Sequence, residues 1–267
     1  MKGIDVSILQ GNINWRKAKA DGVKFAMVKA TQGRGETAAT KHLRVFTDGK
    51  LAANVAGAHN AGIDCGVYHY FTAKTNAEAE YEAEYFLEAI EPHKRYIDLW
   101  AAVDVESEPH LGGVGKTLLT SAAKTFMVEV KKAGYKPMLY TNPNYLTYRF
   151  ALGAFDDYDI WLAHWGVKKP MAVPNTRIWQ YGLGRVDGIS TDVDMDEGYF
   201  GDEGQYQDST KSEPSQYKVG DKYTIQKGDV YSNGKAVPDR LIGETYTISQ
   251  VKEDRILLRE IVSWISI

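Results

Sequence analysis

Apolar residues in the first 200 positions cluster into short runs separated by stretches with helical spacing. The runs cover residues 3–7, 25–31, 65–71, 99–106, 137–142, 160–165, 177–181 and 191–194. Each is too short for a buried helix, so each reads as a strand. Helical patterns sit between the early runs. Over residues 77–90, Ala79, Ala83, Phe86 and Ile90 recur at helix spacing and acids crowd the start. Residues 116–133 form a second such pattern, stopped by Gly134. Strands alternating with helices predict a parallel α/β sheet or barrel. The later runs follow one another too closely for helices between them. The expected fold is therefore an irregular β/α barrel of eight strands with fewer helices, filling residues 1–200.

The pattern changes after that. Residues 201–216 are polar and aperiodic, with Asp202, Glu203, Asp208 and Glu213 opposed only by Lys211. That composition predicts a solvated linker. From Tyr217 short strand patterns return. Residues 218–226 partly alternate, Ser232-Asn233-Gly234 is a turn signal, residues 246–251 alternate again, and residues 255–262 are apolar-rich. Residues 217–267 are expected to form a small all-β domain.

Composition narrows the function. With 267 residues and 43% hydrophobic content, the chain can bury a sizeable core. A net charge of −3 without a basic cluster gives no reason to expect nucleic-acid binding. Cys65 is the only cysteine, so no internal disulfide can form. No apolar run approaches the roughly 20 residues of a membrane span. The start, Met-Lys-Gly-Ile-Asp-Val-Ser, has no apolar signal core, which favours synthesis without a signal peptide. The 17 Tyr and 6 Trp can fill a core or stack on sugars.

The chemistry gathers at strand ends, where a parallel barrel builds its active site. The fourth run ends in Asp104 and Glu106, two residues apart and so on one face of a strand. A buried acid pair is unfavourable unless it is used, and paired carboxylates perform glycoside hydrolysis. The first run supplies Asp5 and the eighth Asp194, and barrel closure would set these side by side. Tyr68 and Tyr70 end the third run, Tyr140 lies on the fifth, Trp165 ends the sixth and Gln180 lies on the seventh. Blander readings exist: Asp5 as a turn residue, the aromatics as core, and Asp192, Asp194 and Asp196 as a solvated acidic loop or cation site. The spacing lacks the glycine and distal glutamate of a helix-loop-helix calcium site. His59 and His69 lack zinc spacing. No metal or organic cofactor is expected.

The motifs together resemble family 25 of the glycoside hydrolases, the Chalaropsis-type lysozymes or N-acetylmuramidases found among phage endolysins. The resemblance opens with Gly3-Ile-Asp-Val-Ser7, Gln10-Gly11 and Ile13-Asn-Trp15. It continues through Phe25-Ala-Met-Val-Lys-Ala-Thr31, Gly66-Val-Tyr-His-Tyr-Phe71 and Asp104-Val-Glu106. It closes with Leu139-Tyr-Thr-Asn142, Trp161-Leu-Ala163, Ile178-Trp-Gln-Tyr181 and Val193-Asp194-Met195. Gln32 and Asp196 depart from the residues frequent there. The resemblance implies cleavage of the β-1,4 bond from N-acetylmuramic acid to N-acetylglucosamine in peptidoglycan. Glu106 would be the general acid, its pKa raised by burial and by Asp104. Asp104 would be nucleophile, polariser of the acetamido group or orienter of water. Asp5 and Asp194 would support them, and Tyr68, Tyr70, Tyr140, Trp165, Gln180 and Gln32 would contact substrate. A chitinase-like glycosidase and a non-catalytic wall binder are the alternatives. The tail resembles SH3-like wall-binding modules less specifically, and self-association is its other reading. An endolysin would wait in the host bacterial cytoplasm until release to the cell wall.

Overall fold

Along a strand, odd and even positions face opposite sides, and in the first part of this chain one parity faces a closed interior. The computed structural model describes residues 1–33, 45–200, 217–231, 236–251, 255–258, 260–261 and 263–266. The expected linker 201–216 and the Ser232-Asn233-Gly234 turn lie outside the described residues. The chain divides into two compact units, Met1–Tyr206 and Gln207–Ile267.

In the first unit the strands are β1 (Lys2–Val6), β2 (Phe25–Gly33), β3 (Val45–Thr47), β4 (Asp64–Tyr70), β5 (Trp100–Asp104), β6 (Lys136–Thr141), β7 (Asp159–Ala163), β8 (Thr176–Gly184) and β9 (Val193–Gly198). They run in the order β1-β9-β8-β7-β6-β5-β4-β2-β3, and pairing of β1 with β2 closes eight of them into a barrel. The short β3 pairs on the outside of the β2 end. Neighbours from β1 through β2 and β4 to β8 are parallel.

The parallel barrel expected from the sequence is corrected at one strand, because β9 runs antiparallel to both β8 and β1. Only residues 185–192 join β8 to β9, and a parallel crossover needs about a dozen residues or more. The strand limits also move, most of them by one to three residues. The fourth barrel strand stops at Asp104 rather than Glu106, and the last spans Val193–Gly198 rather than residues 191–194.

Helices α1 (Trp15–Ala20), α2 (Leu51–Asn60), α3 (Asn76–Ile90), α4 (Glu108–Leu111) and α5 (Lys116–Lys132) all fall before β6. Thr75 caps α3 by accepting from the Glu78 N–H. Its buried stripe is Ala79, Glu82, Ala83, Phe86 and Ile90. In α5 the stripe is Leu119, Ala122, Ala123, Phe126, Met127 and Val130. Between β6 and β9 the connections hold one π turn, Tyr145–Arg149, and otherwise loops.

Two cores result. One lies between barrel and helices and includes Ile4, Val28, Val67, Val103, Leu139 and Leu162 of the strands with Phe86 and Phe126 of the helices. The other fills the barrel floor with Phe25, Met27, Trp100, Met138, Trp161 and Ile178. Small residues make room for the large ones. A Cβ on Gly3 would lie 2.1 Å from the Phe25 ring, and one on Gly66 2.5 Å from the Met27 sulfur.

The second unit is an antiparallel meander of β10 (Lys222–Thr224), β11 (Thr245–Val251), β12 (Arg255–Leu258) and β13 (Ser263–Ser266). Its core is Tyr223, Ile225, Val237, Ile248, Ile256, Leu258 and Ile265. Among the described residues, no helix is long and apolar enough to cross a membrane.

Candidate active site

Above the filled floor lies a cleft of about 570 Å³, lined by Asp5, Ser7, Leu9, Gln10, Lys29, Tyr68, Tyr70, Asp104, Glu106, Tyr140, Asn142, Trp161, Ala163, Trp165, Gln180 and Asp194. Nine of the ten residues singled out from the sequence are therefore in one place. Gln32 is not in the lining, and its Oε1 accepts from Lys29 Nζ at 2.7 Å. Several cleft residues that went unselected follow from the same two-residue period, though Leu9 and Gln10 lie on a 3-10 turn beyond the strand. Lys29 continues Phe25 and Met27, Ser7 follows Asp5, and Asn142 follows Tyr140.

One amide organises a wall of the cleft. Gln180 Oε1 accepts from Tyr140 OH at 3.0 Å and Trp165 Nε1 at 2.9 Å, while Nε2 donates to Asp5 Oδ2 at 2.8 Å. An indole N–H can only donate and a carboxylate only accepts, so the amide has a single orientation that satisfies both. Asp5 and Asp194 are register partners across β1 and β9. Asp194 thus reaches the rim from the start of its strand, because that strand is reversed.

The acid pair is held differently at each member. Asp104 is 5% exposed, and its Oδ1 has no hydrogen-bond partner among the described residues. Glu106 is half-buried and stands beyond the strand end. Its segment is pinned to β6: the Val105 N–H donates to the Tyr140 carbonyl at 3.0 Å, and Thr141 Oγ1 donates to the Val105 carbonyl at 2.9 Å.

Burial raises the pKa of both acids, and more so for the deeper Asp104. The charge of Glu106 adds to the rise at Asp104, and Lys29 opposes it. At Glu106 the Tyr140 hydroxyl and Lys29 oppose the burial, while Asp194 reinforces it. The expected repulsion between the two acids is present, and Asp194 across the mouth adds to the rise at Glu106. Because the charge of one bears on the proton of the other, the two acids do not titrate as independent groups.

Asp192, Asp194 and Asp196 do not form a common acidic loop. Asp192 is exposed and pairs with Arg185 Nε at 2.7 Å. Asp196 is fully buried and accepts from Trp161 Nε1 at 2.8 Å, leaving Oδ2 without a partner among the described residues. Burial, then the Asp5 charge, lifts its pKa well above the ordinary value. The folded state thus binds this proton over a pH range where the unfolded chain has released it, so stability falls as pH rises through that range. Asp196→Asn keeps an acceptor for Trp161 but cannot ionise. Thermal melts should place it above the wild type at pH 7 and closer to it at pH 4. An equal offset at both pH values would show that ionisation plays no part.

The comparisons with known proteins agree with this geometry. The model of glycosyl hydrolases family 25 matches residues 4–188. Lysozyme M1 of Streptomyces globisporus is 33% identical over 210 residues, 73% of this chain. The alignment spans 66% of that relative's length. The bacterial lysozyme of Streptomyces coelicolor superposes with a TM-score of 0.60 at 30% identity, covering 74% of this chain and 91% of its own. The CTP1L endolysin superposes with a TM-score of 0.61 at 26% identity, covering 74% of this chain and 66% of its own. The chain belongs to glycoside hydrolase family 25.

Proposed function

We propose that the first unit is a muramidase, cleaving the β-1,4 bond between N-acetylmuramic acid and N-acetylglucosamine in peptidoglycan. The observation that carries this is the division of the acid pair: Glu106 half-open at the cleft, Asp104 buried beneath with a free oxygen. Glu106 is the group that can reach a glycosidic oxygen, and burial favours the protonated form a general acid needs. It gives its proton to O4 of the departing N-acetylglucosamine. Asp104 Oδ1 accepts the acetamido N–H of the muramic acid, whose carbonyl oxygen then attacks C1. Water opens the resulting ring at C1 and returns a proton to Glu106. Asp5, oriented by Gln180, and Asp194 lie where positive charge develops on the sugar. Trp165, 47% exposed with its indole N–H tethered, offers a rigid face for a pyranose ring.

The finer reading is that of an endolysin acting on Gram-positive walls, with an SH3-like second unit holding the enzyme to its substrate. The four-stranded meander and the likeness of the first unit to the CTP1L endolysin support it. The test uses purified Gram-positive walls. The full chain should clear their turbidity, and removal of residues 217–267 should reduce co-sedimentation with walls while leaving the number of chains per particle in solution unchanged. A change in that number on truncation would instead make the tail a self-association module.

A further inference from the structure

Among the described residues that line the cleft, Lys29 is the one cation. The side chain leaves β2 at a bulge, where pairing with β4 skips from Lys29 to Thr31. Its ammonium lies 5.1 Å from the centre of the Tyr70 ring and donates to Gln32 Oε1 at 2.7 Å. The charged groups around it come from several elements. Asp5 faces it from β1, Asp48 from the turn after β3, and Asp104 and Glu106 from β5 and its extension. Tyr68 and Tyr70 from β4, Tyr140 from β6 and Asp194 from β9 complete the titratable lining of the cleft. Asp48 is already engaged, accepting from the backbone N–H of Ile8 at 2.9 Å and of Lys50 at 2.8 Å. Glu82 is bound to His69 and Thr72. The hydrogen-bonded partner that holds the ammonium is thus a neutral amide.

We propose that Gln32 is a positioning residue: it holds the Lys29 ammonium at the acid pair without neutralising it, and this pairing sets the pH range in which the site works. An amide fixes the direction of the ammonium and leaves the whole positive charge to act on Asp104 and Glu106. A nearby cation favours the ionised form of a carboxylate, so Lys29 counteracts the upward pull of burial. A carboxylate at position 32 would cancel that charge at its source. The catalytic consequence rests on the muramidase reading, whereas the charge relation does not.

The experiment compares the wild-type full chain with Gln32→Glu, Gln32→Leu and Lys29→Met. Carboxyl carbon NMR titrations follow Asp104 and Glu106, and rates on purified walls are measured against pH. In Gln32→Glu and Lys29→Met both carboxyl midpoints, and both limbs of the rate profile, should move up by about one pH unit. Gln32→Leu should move them up by a smaller step, since it frees the ammonium from its hold at the acid pair but keeps the charge; no move at all would mean that the amide does not position Lys29. Equal behaviour of Gln32→Glu and Gln32→Leu would reduce Gln32 to a structural role and overturn the proposal. Unmoved midpoints in Lys29→Met would overturn it independently, even if a position-32 variant failed to fold. If the midpoints move but the wild type cuts no wall glycan, the charge relation stands and the muramidase reading fails.

Discussion

Glu106→Gln is expected to leave the barrel folded and to slow wall hydrolysis by about 10²–10⁴-fold, the usual contribution of a general acid. The substitution is nearly isosteric, at a half-buried residue beyond the strand end. The segment is held by the Tyr140 carbonyl and the Thr141 hydroxyl of β6 rather than by the carboxyl. The folded state therefore loses little. The chemical step loses its proton donor, since an amide cannot protonate a leaving oxygen. Circular dichroism and melting temperature should match the wild type, while turbidity assays show the loss in rate. Asp5→Asn makes a useful contrast. An amide oxygen there can still accept from Gln180 Nε2, so the tether through Gln180 to Tyr140 and Trp165 can persist. Its loss should be smaller than that of Glu106→Gln. Wall lysis by Glu106→Gln at the wild-type rate would remove Glu106 from the acid role.

The largest expected effect on stability lies outside the cleft, at Glu82. This glutamate is fully buried in the apolar stripe of α3. His69 Nε2 lies 2.9 Å from its Oε2, the Thr72 N–H donates to the same oxygen at 3.1 Å, and Thr72 Oγ1 donates to Oε1 at 2.6 Å. His69 Nδ1 is 2.7 Å from Thr31 Oγ1, and its ring stacks on Phe126 at 5.0 Å. The Nε2 proton goes to the carboxylate, which leaves Nδ1 to accept the Thr31 hydroxyl. The cluster joins β2, β4 and α3 with each polar group paired. Glu82→Ala would leave three donors without their acceptor in a dry site. At about 1–3 kcal/mol for each such orphan, partly relieved by relaxation, the expected loss is about 3–5 kcal/mol, as for breaking a buried pair. For a unit of this size that lowers the melting temperature by about 10 °C or more. Glu82→Gln keeps one acceptor oxygen and should lose less. A melt within 2 °C of the wild type, roughly the effect of less than 1 kcal/mol, would mean that water enters and satisfies the orphans.

The contrast between these two sites marks what could be read in the chain. Short runs and their spacing indicated the barrel because period two and period 3.6 are local properties. The rim acids were found at strand ends for the same reason. Asp194 was reached through a rule that its strand breaks, since β9 runs backwards and presents its first residues at the mouth. Strand direction there depends on the length of a connection, and residues 185–192 were short enough to have signalled a hairpin. Lys29 was within reach too, as the next inward position after Phe25 and Met27. Gln32 illustrates the opposite limit. Its side chain serves a neighbour on its own strand, and the bulge after Lys29 breaks the alternation that would have predicted where it points. The cluster at Glu82 needed the fold, since a glutamate between Ala79 and Ala83 carries no local sign that a histidine and a threonine wait for it.

The central claim is the bond that is cut. Digestion of purified peptidoglycan in ¹⁸O-labelled water, followed by mass spectrometry of the released fragments, reads it directly. Hydrolysis at C1 of the muramic acid predicts one labelled oxygen per cut at new N-acetylmuramic acid reducing ends, abolished in Glu106→Gln. Label at N-acetylglucosamine ends, or released peptides with no cut glycan, would contradict it.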